Sequence, residues 1–444
     1  MADWVKADGV AEASVVKMDG VAKAACVKRS GVTTPAGTQC WVVGGLNGRI
    51  MISENATGDS GSWVEYLAPD SGANALKVAF GKDHADNDRW IMIWDRANNM
   101  ASVSTSSIPN EPAAWATLDL DAGDWTANKT PEDVAWSNGP NPPLWVIGGN
   151  GGCVAYSSSG SADQSDWQAE VTTATTFAGN RSILGVSFSG SSTAPAGTDG
   201  EGGAHVILAG AMNRIASGSV PTYAAPLAQE ITWGDPDGDG TKDHAFNSDD
   251  YNVGVTWWKI HAAGEGANTR VVAVADSNAA ANTPYFATGS KMFFGRDTGS
   301  GIGWKELTGT PDNSFGADTN ATARKMKALT SDGEGNWMIV GREGTGYVST
   351  DNCNTWTRMD FSGPVPGTEG ACTQLLWFVA QATIGGTSTW MAGGEDGYLA
   401  VSTNNGASGS WVTKHNPWYA AGAGANEHLF TAAFSKPIPY PGST

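Results

Sequence analysis

WMIVGREGTGYVSTDNCNTW, running from Trp337 to Trp356, is the stretch that decides the fold. A bulky residue opens a short apolar strand. A glycine-bearing turn follows, then a second strand that ends in Ser349 and Thr350, and a tryptophan closes the unit. Short apolar runs bounded by Gly, Asn and Ser read as buried strands and are too short for helices.

The pattern recurs along the chain. WMAGGEDGYLAVSTNNGASGSW runs from Trp390 to Trp411. WVVGGLNGRIMIS begins at Trp41 with Trp63 downstream, WIMIWDRANNMASVS begins at Trp90 with Trp115, and LWVIGGNGGCVAYSS begins at Leu144 with Trp167. Two weaker copies fill the middle: HVILAGAMNRIASGS from His205, and RVVAVADS from Arg270, followed by FATGS at Phe286 and by Trp304. The mean step between the seven openings is about 58 residues, which suits one four-stranded propeller blade with long loops.

Another short apolar strand precedes each unit, as in ALKVAFG at Ala75, ILGVSFSG at Ile183, MKALTS at Met326 and QLLWFVAQ at Gln374. These are expected to line a central channel. Nothing before Trp41 supplies such a strand for the first unit, whereas LFTAAFSK at Leu429 follows the last unit and has no unit of its own. The expectation is an all-β, seven-bladed β-propeller over residues 38–444, closed by the C-terminal strand, which removes an open sheet edge. The regularly placed tryptophans then act as wedges between blades, each contributing ~3 kcal/mol by area burial.

Composition agrees with an all-β class. The 444 residues include 58 Gly and 20 Trp, and only 16% are charged. Lys plus Arg number 26 against 45 Asp plus Glu, a formal charge of −19. Such a field repels nucleic acid and anionic membrane, so neither is an expected partner. The longest apolar run, around Leu375 to Ala380, is far too short for membrane insertion. The five cysteines Cys26, Cys40, Cys153, Cys353 and Cys372 include no C-x-x-C and form neither a disulfide framework nor a zinc site. One bridge, Cys26–Cys40, is the alternative to buried thiols. The opening MADWVKADGV has no apolar signal-peptide core, so synthesis in the cytoplasm is expected.

S-T-D-N-C-N-T-W, from Ser349, resembles the Asp-box S-x-D-x-G-x-T-W of BNR or sialidase-like propellers. Ser349, Asp351, Thr355 and Trp356 match, and Cys353 stands where the family has glycine. A second copy carries Ser402, Asn404 and Trp411, with Asn in place of Asp; a poorer third carries Ser53, Asn55 and Trp63. The resemblance implies an outer hairpin in which the Asp or Asn accepts backbone hydrogen bonds and the Gly position is left-handed. It implies fold and not activity. Arg49-Ile50 and Arg214-Ile215 are not followed by the proline of the sialidase R-I-P motif, and no residue maps onto that family's arginine triad, nucleophile pair or acid. No catalytic residues are assigned.

Residues 5–32 hold a different repeat, VKADGVAEAS, VKMDGVAKAA, VKRSGV, with Gly9, Gly20 and Gly31 in register. Asp8-Gly9 and Asp19-Gly20 are hairpin turn signals. The segment is too small for its own core and is expected to pair with something else. These repeats resemble N-terminal stretches of phage virion proteins, particularly of marine phages, in which an attachment segment precedes a propeller or fibre knob. The alternative is a strand or two packed on the propeller itself. The chain therefore reads as an attachment segment, 1–37, and a propeller, 38–444.

DPDGDGTKD is the sharpest chemical motif. Asp235, Asp237 and Asp239 alternate before Gly240, with Asp243 beyond, like the first half of an EF-hand loop, so Ca2+ is the cation such carboxylates would take. Phe246 stands where the bidentate Glu belongs, and a solvated acidic loop is the competing reading. The adjacent aromatics Trp257-Trp258 and Trp418-Tyr419 are candidate platforms for stacking on sugar rings, against burial between blades. The expected function is a non-enzymatic virion display protein, part of a multimeric assembly. It would dock on other virion proteins through residues 1–37 and present the propeller to host surface glycans. The alternatives are a propeller carbohydrate-active enzyme and a cellular scaffold or assembly factor.

Overall fold

Residues that resemble one another every blade-length should form like sheets, and the described chain does so. The computed structural model describes most of residues 39–435, leaving out chiefly 172–181, 190–204, 220–231, 234–254, 278–289, 307–325, 362–371 and 419–426; within residues 1–38 it describes four short strands. The chain divides into two compact units, Met1–Gln39 and Cys40–Thr444.

The first unit contains two antiparallel hairpins. Lys17–Met18 pairs with Val21–Ala22, and Cys26–Arg29 pairs with Val32–Pro35. The dipeptide between the first two strands is Asp19-Gly20, a sequence suited to a two-residue reverse turn.

Among the described residues, the second unit contains seven four-stranded antiparallel sheets. The first sheet takes its innermost strand from the far end of the chain: Leu429–Phe434 pairs with Trp41–Gly45, which is followed by Arg49–Ser53 and Trp63–Leu67. The other sheets are consecutive in sequence, with innermost strands Ala75–Lys82, Pro131–Ser137, Ile183–Ser189, Val255–Ala263, Met326–Ser331 and Leu376–Ile384. Each innermost strand packs on that of the next sheet, and Leu429–Phe434 packs on both Ala75–Lys82 and Leu376–Ile384.

Burial explains the composition of each strand position. Second strands such as Trp41–Gly45, Leu144–Gly149 and Trp337–Gly341 are buried at every residue, because neighbouring sheets cover both their faces. The outermost strand Trp63–Leu67 buries Trp63 and exposes Val64 and Leu67. The largest fully buried side chains include Trp41, Trp90, Trp145, Trp337 and Trp390, one each from the second strands of five sheets.

The innermost strands share a register slip. It falls at Ala75/Lys77, Pro131/Asp133, Ile183/Gly185, Trp257/Lys259, Met326/Ala328, Leu376/Phe378 and Leu429/Thr431. A bulge bends a strand and re-aims the following side chain. Those re-aimed side chains stitch one sheet to the next. Thr431 Oγ1 accepts the Val78 N–H at 2.9 Å, and Asp133 Oδ2 accepts the Val186 N–H at 2.9 Å. Ser187 Oγ accepts the Ala262 N–H at 2.8 Å.

Asp351 organises the outer hairpin after Thr345–Ser349. Its Oδ1 accepts the Thr355 N–H at 2.8 Å and its Oδ2 accepts the Thr355 hydroxyl at 2.6 Å. Cys353 has φ +68 and Asn352 φ +56, so a left-handed turn is kept although the sequence offers no glycine there. The corresponding turn of the seventh sheet has Asn405 and Gly406 left-handed, and Trp411 Nε1 donates to the Gly406 carbonyl at 3.1 Å. Trp63 Nε1 likewise donates to the carbonyl of left-handed Gly58, at 3.0 Å.

Burial works against ionisation of Asp351, but the Thr355 and Ser349 hydrogen bonds outweigh it and hold the carboxyl below the ordinary carboxylate range. A depressed folded pKa means that this stabilisation is complete above the unfolded pKa of 3.8 and fades as pH falls through the folded value. Asp351→Ala is expected to cost about 1 kcal/mol at neutral pH, by loss of hydrogen bonds. Urea denaturation at pH 7 and at pH 3 checks this, the variant and parent converging at the lower pH.

Candidate functional site, the central cavity

The innermost strands of all seven sheets line one cavity of about 270 Å³. Its wall is mainly aliphatic and aromatic, including Val78, Val134, Val186, Ile260, Trp136 and Trp377. Against that wall sit a few charged groups, placed by the bulges just described.

Asp133 is the centre of the charged cluster. It is 2% exposed, and its Oδ1 lies 3.1 Å from Lys259 Nζ. Lys259 comes from the fifth sheet and Asp133 from the third, so the lysine reaches past the fourth, where its Nζ also donates to the Leu184 carbonyl at 3.2 Å. Gly185 makes this reach feasible, since a Cβ there would lie 2.9 Å from the Ile260 nitrogen. Only a residue without a side chain lets the fourth and fifth strands approach this closely.

Lys77, half-buried on the second sheet, also feels Asp133. Burial lowers its pKa, Asp133 opposes that shift, and Lys259 adds to it. His261 follows Lys259 by two residues, on the same side of the strand. Burial and the charge of Lys77 lower its pKa to about 4, against the opposing pull of Asp133. Burial raises Glu132 to about 7; Lys259 opposes this, while Asp133 and Asp95 reinforce it.

The His261 shift has a pH consequence. Between about pH 6.5 and about pH 4 the unfolded chain binds a proton at this residue that the folded chain does not. Its contribution to stability is therefore lost as pH falls through that window. His261→Gln is expected to flatten the pH dependence of the denaturation midpoint there, as measured by chemical denaturation at half-unit pH steps.

Among the described residues, two polar atoms of side chains that line the cavity have no hydrogen-bond partner: the buried indole N–H of Trp377 and the Oε1 of Gln381, a residue only 6% exposed. Gln381 spends its Nε2 on Thr383 and Ser388. The Trp377 ring meets Phe430 edge-on at 5.7 Å, and Lys327 Nζ sits 5.7 Å from its centre.

The residues singled out from sequence lie elsewhere. Ser349, Asp351, Thr355, Trp356, Ser402, Asn404 and Trp411 form outer turns and do not line the cavity. Asp235, Asp237, Asp239 and Asp243 lie outside the described residues, as does Tyr419. Trp257 and Trp258 lie on the strand Val255–Ala263, at its register slip. Trp418 corrects the reading of an aromatic sugar platform. It is 4% exposed, packed in a core cluster with Trp41 and Leu429, and so close to Gly45 that a Cβ there would overlap its ring. Cys40 is a free, buried thiol. The cluster of Lys77, Asp133, Lys259 and His261 went unnoticed in sequence. Its one signal was the alignment of the innermost strands, which sets Lys77, Asp133 and Lys259 at the same position after the bulge.

No family model matches the chain, and no curated protein matches it. Among solved structures it is similar to YCF48 from Cyanidioschyzon merolae, at 14% identity and a TM-score of 0.42, covering 84% of this chain and 90% of that chain. It is also similar to the structure described as YCF48 bound to D1 peptide, at 12% identity and a TM-score of 0.39, covering 72% of this chain and 76% of that one.

Proposed function

We propose that this chain is a non-enzymatic display protein of a bacteriophage virion. Residues 1–37 attach it to other virion proteins, and residues 38–444 form a seven-bladed propeller, closed by Leu429–Phe434, that projects from the particle. The observation that carries this reading is the unlike build of the two units. Within the first 39 residues the described structure is two separate two-stranded hairpins, while the rest holds seven four-stranded sheets. Isolated two-stranded hairpins are marginal in water, so a repeat of such hairpins is suited to pairing with another surface. The charged groups of the cavity support a non-catalytic role, because Asp133 is committed to the Val186 amide and to Lys259. With Trp418 buried, Trp257, Trp258 and Tyr419 are the remaining candidates for contact with host glycans.

The test is a mass-spectrometric inventory of purified particles from the source culture. Stoichiometric co-purification with capsid or tail proteins, lost on deletion of residues 1–37, is the expected result. A chain found free of particles sinks the reading. Recovery with a defined cellular complex would favour a scaffold, and glycan hydrolysis would favour a carbohydrate-active enzyme.

A further inference from the structure

The cavity sets basic side chains, Lys77 and Lys259, against an apolar wall. Asp133 pairs with Lys259 at 3.1 Å, and Lys77, which lines the cavity, is attracted by the same carboxylate. One carboxylate thus serves two lysines, and because burial lowers the pKa of Lys77, a bound anion would favour its charged form. His261 is neutral at pH 7, and Glu132, beside Asp133, is pushed toward its neutral form. A cation held against an apolar wall lacks the hydration it would have in water, and an anion restores that loss most effectively.

A second observation points the same way. The Trp377 indole N–H is buried and meets no acceptor among the described residues. Trp377 and Lys77 stand at successive positions of equivalent strands, one residue before and one at the end of the shared register slip. They therefore lie at nearly the same depth, on the sheets that flank Leu429–Phe434. The wall around them is apolar, with Leu76 and Phe430 beside them.

We propose that the central cavity binds a small organic acid, its carboxylate held by Lys77 and the Trp377 indole N–H and its apolar body against the aliphatic and aromatic wall. A volume of about 270 Å³ suits a molecule the size of one aromatic ring with a short acidic tail, just below the range of drug-sized sites. This site is independent of virion attachment, and neither reading falls with the other.

The test is calorimetric titration of the full chain with 3-phenylpropionate and with its neutral isostere 3-phenylpropanamide. The acid is expected to bind one per chain, with the amide at least about tenfold weaker, the size of a lost charge-assisted hydrogen bond. Lys77→Met should weaken the acid by at least about tenfold and leave the amide unchanged. Trp377→Phe keeps an aromatic side chain but removes the N–H together with the pyrrole ring, so it should weaken the acid several-fold more than the amide and serves if the lysine variant does not fold. Equal affinity for acid and amide, no binding of the acid at millimolar concentration, or undiminished binding by a folded Lys77→Met or Trp377→Phe chain would overturn the proposal.

Discussion

Replacing Asp133 with alanine is expected to cost about 3–5 kcal/mol, the usual cost of breaking a buried ion pair from one side. Asp133 is 2% exposed and has two tasks. Its Oδ1 neutralises Lys259, and its Oδ2 accepts the Val186 N–H of the next sheet. Alanine leaves Lys259 without its carboxylate against an apolar wall, removes the charge that favours protonated Lys77, and orphans a buried amide. Asparagine keeps an acceptor for Val186 and loses only the charge, so Asp133→Asn should fall between parent and alanine. Equilibrium denaturation of the three chains checks the order. Because the pair is buried, added salt should change the difference little. A variant as stable as the parent would mean that this cluster plays no part in joining the third, fourth and fifth sheets.

Trp145→Ala is expected to cost a similar amount, about 3–5 kcal/mol, by a different mechanism. Trp145 is fully buried in a cluster that joins the second and third sheets through Ile91, Ile93, Val134 and Trp167. Its Nε1 donates to the Lys82 carbonyl at 3.2 Å, and Gly160 lies so close that a Cβ there would come within 2.6 Å of the ring. Nothing nearby is small and mobile enough to refill the space, so the loss includes a cavity as well as buried area. Val64→Ala is the control. That side chain is 55% exposed on an outermost strand, and its loss should stay within about 0.5 kcal/mol. Thermal and chemical denaturation of the two variants measure the contrast.

The parts of the fold legible in the sequence were those that repeat. Trp41, Trp90, Trp145, Trp337 and Trp390 occupy matching second-strand positions, and burial on both faces forces those positions to be apolar, so the period shows through. The innermost strands were legible where they carry at most one charged residue, as in ALKVAFG, ILGVSFS and MKALTS, and not where they carry two titratable residues, as in PEDVAWS and VTWWKIHAA. That omission hid the site. Asp133 and Lys259 look like ordinary surface charges when read along the chain. They are distinguished only by the shared bulge that places them opposite one another.

Trp418 shows the converse. An aromatic pair in a Gly- and Ala-rich stretch reads as an exposed platform. Gly45, far away in sequence, leaves the space into which the ring packs. Cys353 shows how local chemistry can be overridden. A left-handed turn calls for glycine, yet the Asp351 hydrogen bonds and a buried setting hold cysteine at φ +68.

Both the cavity and a projecting propeller require that the two ends of the second unit meet in one sheet. The most direct test joins Val42 and Ala433, which are direct partners in the antiparallel pair of Trp41–Gly45 with Leu429–Phe434. Direct cross-strand partners have Cα atoms about 4.5–5.5 Å apart, within disulfide reach. Cysteines would be placed at both positions, with Cys40→Ser to remove the neighbouring thiol, and the chain oxidised and followed by non-reducing electrophoresis and thermal denaturation. The account expects an intramolecular disulfide and a marked rise in the melting temperature on oxidation, since tying so long a loop is worth on the order of 5 kcal/mol. Thiols that stay reduced, or that form bonds only between chains, would contradict it.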